Sequence, residues 1–227
     1  MAIQIEKTKI SSGLEGQTIL LYGRAKVGKT TLANEFKAPL FLATESGHSH
    51  LECDKINCNS WSKFLEGCAY MAEGKHEYQT VVVDTIDNLV DYCTEAVCKE
   101  NGISHPSELP MGKGWSLVTT ELKRAMMKVA SLPYTLLMIS HSSKETIETA
   151  TGKKYDRWSI SVSGKNKQVF LNMSDMILFI DYHVDNGEVS RVIRTKPSKS
   201  YEAGDRSGKL DEVMPLNYKE LEKQMGG

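Results

Sequence analysis

The residues with the most specific spacing are Gly23-Arg24-Ala25-Lys26-Val27-Gly28-Lys29-Thr30, followed by Thr31. They match G-x-x-x-x-G-K-[ST] at every fixed position. Gly23 and Gly28 let the backbone close around a phosphate with no side chain in the way, and the helix that starts here offers unpaired N–H groups. Lys29 suits the β- and γ-phosphates of ATP as a point charge, and the Thr30 hydroxyl suits Mg²⁺. Lys26 lies outside the fixed positions and reads as a solvated loop lysine. A basic turn that merely caps a helix is the competing reading. It leaves unexplained the strand-like Thr18-Ile19-Leu20-Leu21-Tyr22 before the motif and the helix-like Thr31 to Phe36 after it.

Other polar residues close apolar runs. Asp84 ends Thr80-Val81-Val82-Val83, where an acid can hold Mg²⁺ through its water shell opposite Thr30. Capping of the next helix is the alternative, and both roles fit together if Thr85 is the cap. Glu45 follows Leu40-Phe41-Leu42-Ala43-Thr44 and is the candidate to orient or deprotonate an attacking water, a role typically contributing about 10²–10⁴-fold. A solvated turn glutamate is the alternative. His141, after Ser140, ends the run from Tyr134 to Ile139 and is placed to sense a γ-phosphate and signal to the loop beyond. A strand-end histidine near solvent fits equally well. Lys29, Glu45 and His141 form the expected catalytic set, with Thr30 and Asp84 on the metal.

The segment 142–167 interleaves Lys144, Lys153, Lys154, Arg157, Lys165 and Lys167 with Tyr155 and Trp158. Charge that tracks phosphates and rings that stack on bases suit single-stranded nucleic acid. Glu145, Glu148 and Asp156 dilute the pattern, and a solvated hairpin is the alternative. Arg191, Arg194, Lys196, Lys199 and Arg206 are candidates to reach a neighbouring subunit's γ-phosphate, or else line solvated strand edges. Cys53-x4-Cys58 near His48 and His50 fits no usual zinc spacing.

The elements that must position these groups alternate. Strands are expected at 17–22, 40–43, 80–84, 134–139, 176–183 and 189–195. Helices are expected at about 29–37, 60–73, 85–101, 115–131 and 165–173. Residues 1–16 read as an arm or edge strand, 48–59 as irregular with a short strand near Ile56, 142–165 as polar and basic with weak strand alternation near Arg157 to Val162, and the tail from Pro197 as irregular with an acidic, Tyr/Leu-bearing segment at its end. The pattern is α/β with a mainly parallel sheet and antiparallel strands near the C-terminus, in one domain over 1–227 with a tail at 209–227. Ligands in such sheets sit at the carboxyl ends of the strands, where all the site candidates fall.

The bulk numbers bound the rest. The 227 residues are 40% hydrophobic and 25% charged, ordinary values for a folded globule. A net charge of −1 supplies no global basic field, so any nucleic-acid contact must be local or multiplied by oligomerisation. Five cysteines, no leader and no membrane-length apolar run fit a reducing cytoplasm. Cys93 and Cys98 read as small core hydrophobes.

In the order of its phosphate loop, Glu45, Val81-Val82-Val83-Asp84 and Ile139-Ser140-His141, the chain resembles the RecA-type ATPase core. With Leu40-Phe41-Leu42-Ala43-Thr44-Glu45, Gly114-Trp115-Ser116 and Tyr201-Glu202-Ala203-Gly204-Asp205-Arg206, it is similar to compact, phage-associated RecA-like proteins related to single-strand-annealing recombinases, over about 17–208. The resemblance implies phosphate binding by Gly28, Lys29 and Thr30, Mg²⁺ at Thr30 and Asp84, water activation by Glu45, and single-stranded DNA at the loop after His141. It also implies DNA-stimulated ATPase activity, strand annealing, a homo-oligomeric ring or filament, and a single-strand DNA-binding protein as partner. A host cytoplasm is the expected location, with no membrane. Ser140-His141 replaces the amide-bearing pair of full recombinases, and no separate N-terminal domain is read, so annealing is expected rather than strand exchange. The other readings are a P-loop switch or small-molecule kinase that ignores DNA, and a nucleotide-binding regulatory module without turnover.

Overall fold

The computed structural model describes residues 13–226. The chain runs β1 (Thr18–Gly23), α1 (Lys29–Asn34), β2 (Pro39–Ala43), β3 (Asp54–Asn57), α2 (Trp61–Glu73), β4 (Thr80–Asp84) and α3 (Ile86–Glu100). Two short 3₁₀ turns, Pro106–Glu108 and Pro110–Gly112, lead into α4 (Lys113–Ala130), β5 (Thr135–Glu148), β6 (Lys154–Ile160) and α5 (Gly164–Met173). The remainder is β7 (Met176–Asp185), β8 (Glu188–Arg194), β9 (Gly204–Asp205), β10 (Val213–Pro215) and α6 (Tyr218–Met225). The sheet order is β10-β8-β7-β1-β5-β4-β2-β3, with β6 on β5 and β9 on β7. The run from β7 to β3 is parallel; β8, β9, β10 and β6 pair antiparallel with their neighbours.

Side chains alternate across a strand, and here each alternate set has its own cover. Leu20, Tyr22, Leu40, Leu42, Val81, Val83, Leu136 and Met138 face α2–α5, against Phe64, Leu89, Leu122 and Phe170. Ile19, Leu21, Phe41, Val82, Leu137 and Ile139 face the other side, against Leu32 and Phe36 around α1 and Tyr218, Leu221 and Met225 of α6. Burial on both faces is why these strands read as continuous apolar runs. Each fully buried Leu, Ile or Phe contributes about 1.5–3 kcal/mol.

Caps follow the sequence in part. Ser60 accepts from Lys63 N at the start of α2, and Gly74 closes it with φ 65. Thr85 occupies the cap position of α3, but its hydroxyl makes no capping bond. Three expectations need correction. Helix α1 stops at Asn34, short of Pro39, because the chain turns at 35–38 to enter β2. The polar stretch after His141 is not a loop: β5 continues to Glu148 and pairs with β6 as a hairpin. The tail is not irregular, because Met214 and Leu221 bury against the α1 face and order β10 and α6. Most of the expected N-terminal arm, residues 1–12, lies outside the described residues.

Candidate active site

Parallel register brings the carboxyl ends of four strands into one row. Gly23 pairs with His141, Asp84 with Ile139, and Ala43 with Asp84. One strand, β5, therefore stands between the strand that delivers the phosphate loop and the strand that delivers Asp84. Gly23 is required at its position: a Cβ there would lie 2.6 Å from the Ile180 carbonyl of β7. Gly28 has φ 110, a left-handed conformation that side chains rarely adopt, and it turns the loop into α1. Lys26 is exposed at the loop's rim, as a solvated lysine should be.

Lys29 is buried, and its Nζ donates to the carbonyls of Gly23 (3.0 Å) and Arg24 (2.9 Å). Burial pushes its pKa down, opposed by the charges of Asp84, Asp87 and Glu45. The Thr30 hydroxyl donates to Asp84 Oδ2 at 2.9 Å. Asp84 is fully buried, and its second oxygen, Oδ1, has no hydrogen-bond donor among the described residues. An orphaned carboxylate oxygen beside a hydroxyl suits a hydrated Mg²⁺, so Thr30 and Asp84 fit that ion.

Glu45 and His141 meet across the strand ends, with Oε2 and Nε2 3.6 Å apart. The approach of His141 is the main reason the Glu45 carboxyl lies below its ordinary range, and the approach of Glu45 is the main reason His141 lies above its own. The sequence-derived set of Lys29, Thr30, Glu45, Asp84 and His141 is thus gathered at one edge of the sheet.

Sequence reasoning missed other members. His48, noted only as a poor zinc candidate, is buried with Nε2 3.2 Å from Asp84 Oδ2, though without the alignment of a hydrogen bond. It packs edge-on against Phe41. Nothing in its irregular local sequence signals this. Asp87 collects the Ser140 hydroxyl (3.1 Å), the His141 N–H (3.2 Å) and the Ser161 hydroxyl. Burial raises its pKa against these donors. An acid in the first turn of α3 was the available signal. Thr44 exchanges hydrogen bonds with Thr85, accepting from its N–H and donating to its carbonyl, both at 2.7 Å. Among the described residues no group of three or more His, Cys, Asp or Glu side chains is placed to hold a metal. Cys58 is buried, and burial pushes its thiol up to about 11.

The late cations are mostly engaged within the chain. Arg194 pairs with Asp181 (3.2 Å), Lys196 with Asp205 (3.6 Å) and Arg206 with Asp175 (3.1 Å). Arg191 instead reaches the phosphate loop of its own chain, with Nη1 3.4 Å from the Val27 carbonyl.

An AAA domain model matches residues 15–207, which covers the whole of this constellation. The chain belongs to the AAA domain family. It is a P-loop ATPase domain in the general sense of that family. It is also 28% identical over 189 residues to the SPbeta prophage-derived uncharacterized protein YorG of Bacillus subtilis (strain 168). The match covers 79% of this chain and 56% of YorG, so the AAA-domain chain spans little more than half of that relative's length. No helix among the described residues is long and apolar enough to cross a membrane.

Proposed function

We propose that this AAA-domain chain hydrolyses ATP, binds single-stranded DNA and promotes strand annealing, working as a homo-oligomer in the company of a single-strand DNA-binding protein. Lys29 leaves the two loop carbonyls to meet the β- and γ-phosphates. Thr30 and Asp84 would hold Mg²⁺, which would supply charge to offset the phosphates. Glu45, kept ionised by His141, accepts a proton from the water that attacks the γ-phosphorus as the bond to the β-phosphate oxygen breaks. His141 reports the state of that corner along its own strand.

The observation that carries the link to DNA is the length of β5. One strand holds His141 at the phosphate loop and runs on to Glu148 in the hairpin. The hairpin touches the loop a second time: the Arg24 guanidinium lies 5.0 Å from the Trp158 ring centroid, and Lys144 lies 5.2 Å from it. Beside Asp87 an open groove of about 830 Å³ exposes Trp115 and Met111, with Lys165 on its wall. Exposed rings next to cations suit unpaired bases. A second reading, a nucleotide switch or kinase that ignores DNA, is favoured by the pairing of Arg157 and Lys167 with Glu145 and Glu202, which leaves the hairpin less free charge than its sequence suggests.

The test is ATP hydrolysis with and without single-stranded DNA, in wild type and in Lys29→Ala. Stimulation of wild type by DNA and loss of hydrolysis in Lys29→Ala are expected. Turnover indifferent to DNA, together with no DNA binding, selects the second reading.

A further inference from the structure

The nucleotide reading above leaves one cation unexplained. Arg191 lies on β8, two strands away from β1, yet its guanidinium sits against the phosphate loop. It is exposed, and among the described residues it forms no ion pair, unlike Arg194, Lys196 and Arg206. Its Nη1 stands 2.8 Å from where a Cβ on Gly28 would be, and the Leu216 methyl Cδ2 stands 3.0 Å from the same point. Leu216 is tied to the arginine through its backbone, Leu216 N donating to the Arg191 carbonyl at 3.2 Å. An arginine and a leucine from the C-terminal strands thus press on the one glycine that turns the loop into α1.

The direction of the contact matters. The Val27–Gly28 peptide is trans and planar, so its C=O and N–H point opposite ways. A cation that takes the Val27 carbonyl on one side of the loop turns the Gly28 N–H to the opposite side. The Gly28 carbonyl is already committed to Leu32 N at 3.0 Å, which fixes the other side of the residue. We propose that Arg191 is a same-chain positioning residue of the phosphate loop: by holding the Val27 carbonyl outward it aims the Gly28 N–H at the anion. On this view Arg191 does not serve a neighbouring subunit. The loop is set before nucleotide arrives, and the strands after β7 do the setting.

The test measures binding, not turnover. ATP, ADP and inorganic tripolyphosphate are titrated by calorimetry into wild type, Arg191→Ala and Arg191→Lys. The Gly28 amide is followed by NMR in glycine-labelled protein. Arg191→Ala is expected to weaken all three ligands about tenfold, the scale of one lost hydrogen bond to a charged group. It should also diminish the ligand-induced shift of the Gly28 amide. Arg191→Lys, which keeps a donor, should recover part of both, and it carries the test if the alanine variant does not fold. Binding within twofold of wild type, with an unchanged Gly28 shift, overturns the proposal. So does a loss confined to ATP and ADP with tripolyphosphate unaffected, because that would make Arg191 a contact to base or sugar. Failure of wild type to take up ATP would instead remove the nucleotide reading on which this inference rests.

Discussion

Two clusters of charge, one at the strand ends and one at the hairpin root, are built on opposite principles. At the strand ends, groups are gathered and left wanting. Asp84 keeps an oxygen without a donor, His48 lies against it without a hydrogen bond, and Lys29 rests on carbonyls. In the hairpin root, each charge has partners. Glu145 meets Arg157 at 2.8 Å and Lys167 at 2.7 Å, while Glu202 meets the same two cations at 3.7 and 3.3 Å. The Tyr22 hydroxyl is wedged there against the backbone of Glu202 and Trp158, and burial raises its pKa. Buried polar groups without partners reduce stability, so a cluster that tolerates them is kept for a ligand, whereas a fully paired cluster is kept for shape.

If that division holds, the two clusters should fail differently when broken. The largest effect belongs to Glu45→Gln. It keeps the shape of the side chain and removes the base, so turnover should fall about 10²–10⁴-fold while ATP affinity stays within a few-fold. Single-turnover hydrolysis beside nucleotide titration reads both numbers. Unchanged turnover would make Glu45 an ordinary turn residue and erase the contrast.

Lys167→Met should do the reverse. Its side chain is only 9% exposed, and its removal leaves Glu145 and Glu202 to share Arg157 alone. Burial pushes the Glu145 carboxyl up, and Lys167 with Arg157 more than reverse this, so the carboxylate lies below its ordinary range. A stability loss of about 1–3 kcal/mol is expected, below the figure for a fully buried pair because both glutamates touch solvent. Denaturant unfolding measures it, and ATP affinity should hold within about twofold. A large loss of affinity with little loss of stability would show the hairpin root to be part of the nucleotide site.

The same contrast explains what was readable in the sequence. The phosphate loop, Asp84 and the α/β pattern were legible because each rests on local spacing: a fixed motif, an acid closing a β-branched run, strands buried on both faces. The pairing of Lys167 with Glu145 and Glu202 was not, because their separation in the chain carries no periodic signal. What read as a basic-aromatic stretch is a hairpin in which Arg157, and Lys167 beyond it, are answered by Glu145 and by Glu202, far away in sequence. His48 was missed because only the fold of 44–51 brings it to Asp84. The terminal strand and helix were missed because Met214 and Leu221 gain their partners from α1 and the sheet, so their local pattern is too short to predict order.

The smallest effect is also the most direct probe of the site's corner. His141 should titrate above the ordinary 6.5, since Glu45, with help from Asp87, outweighs burial and Lys29, which act downward. Glu45 should titrate below its ordinary 4.5. The stabilisation from the raised histidine is fully present below 6.5 and is lost as pH climbs through the folded value; that from the lowered carboxyl is present above 4.5 and is lost as pH drops through its folded value. The pair is therefore intact between those limits and fades outside them. In Glu45→Gln the His141 midpoint, followed by its imidazole proton resonance, should fall back towards 6.5 or below it, because Lys29 and burial then act with only Asp87 opposing them. A midpoint that does not move would mean that Asp87, not Glu45, governs this histidine, and the strand-end corner would lose the link between its proposed base and the strand that runs on into the hairpin.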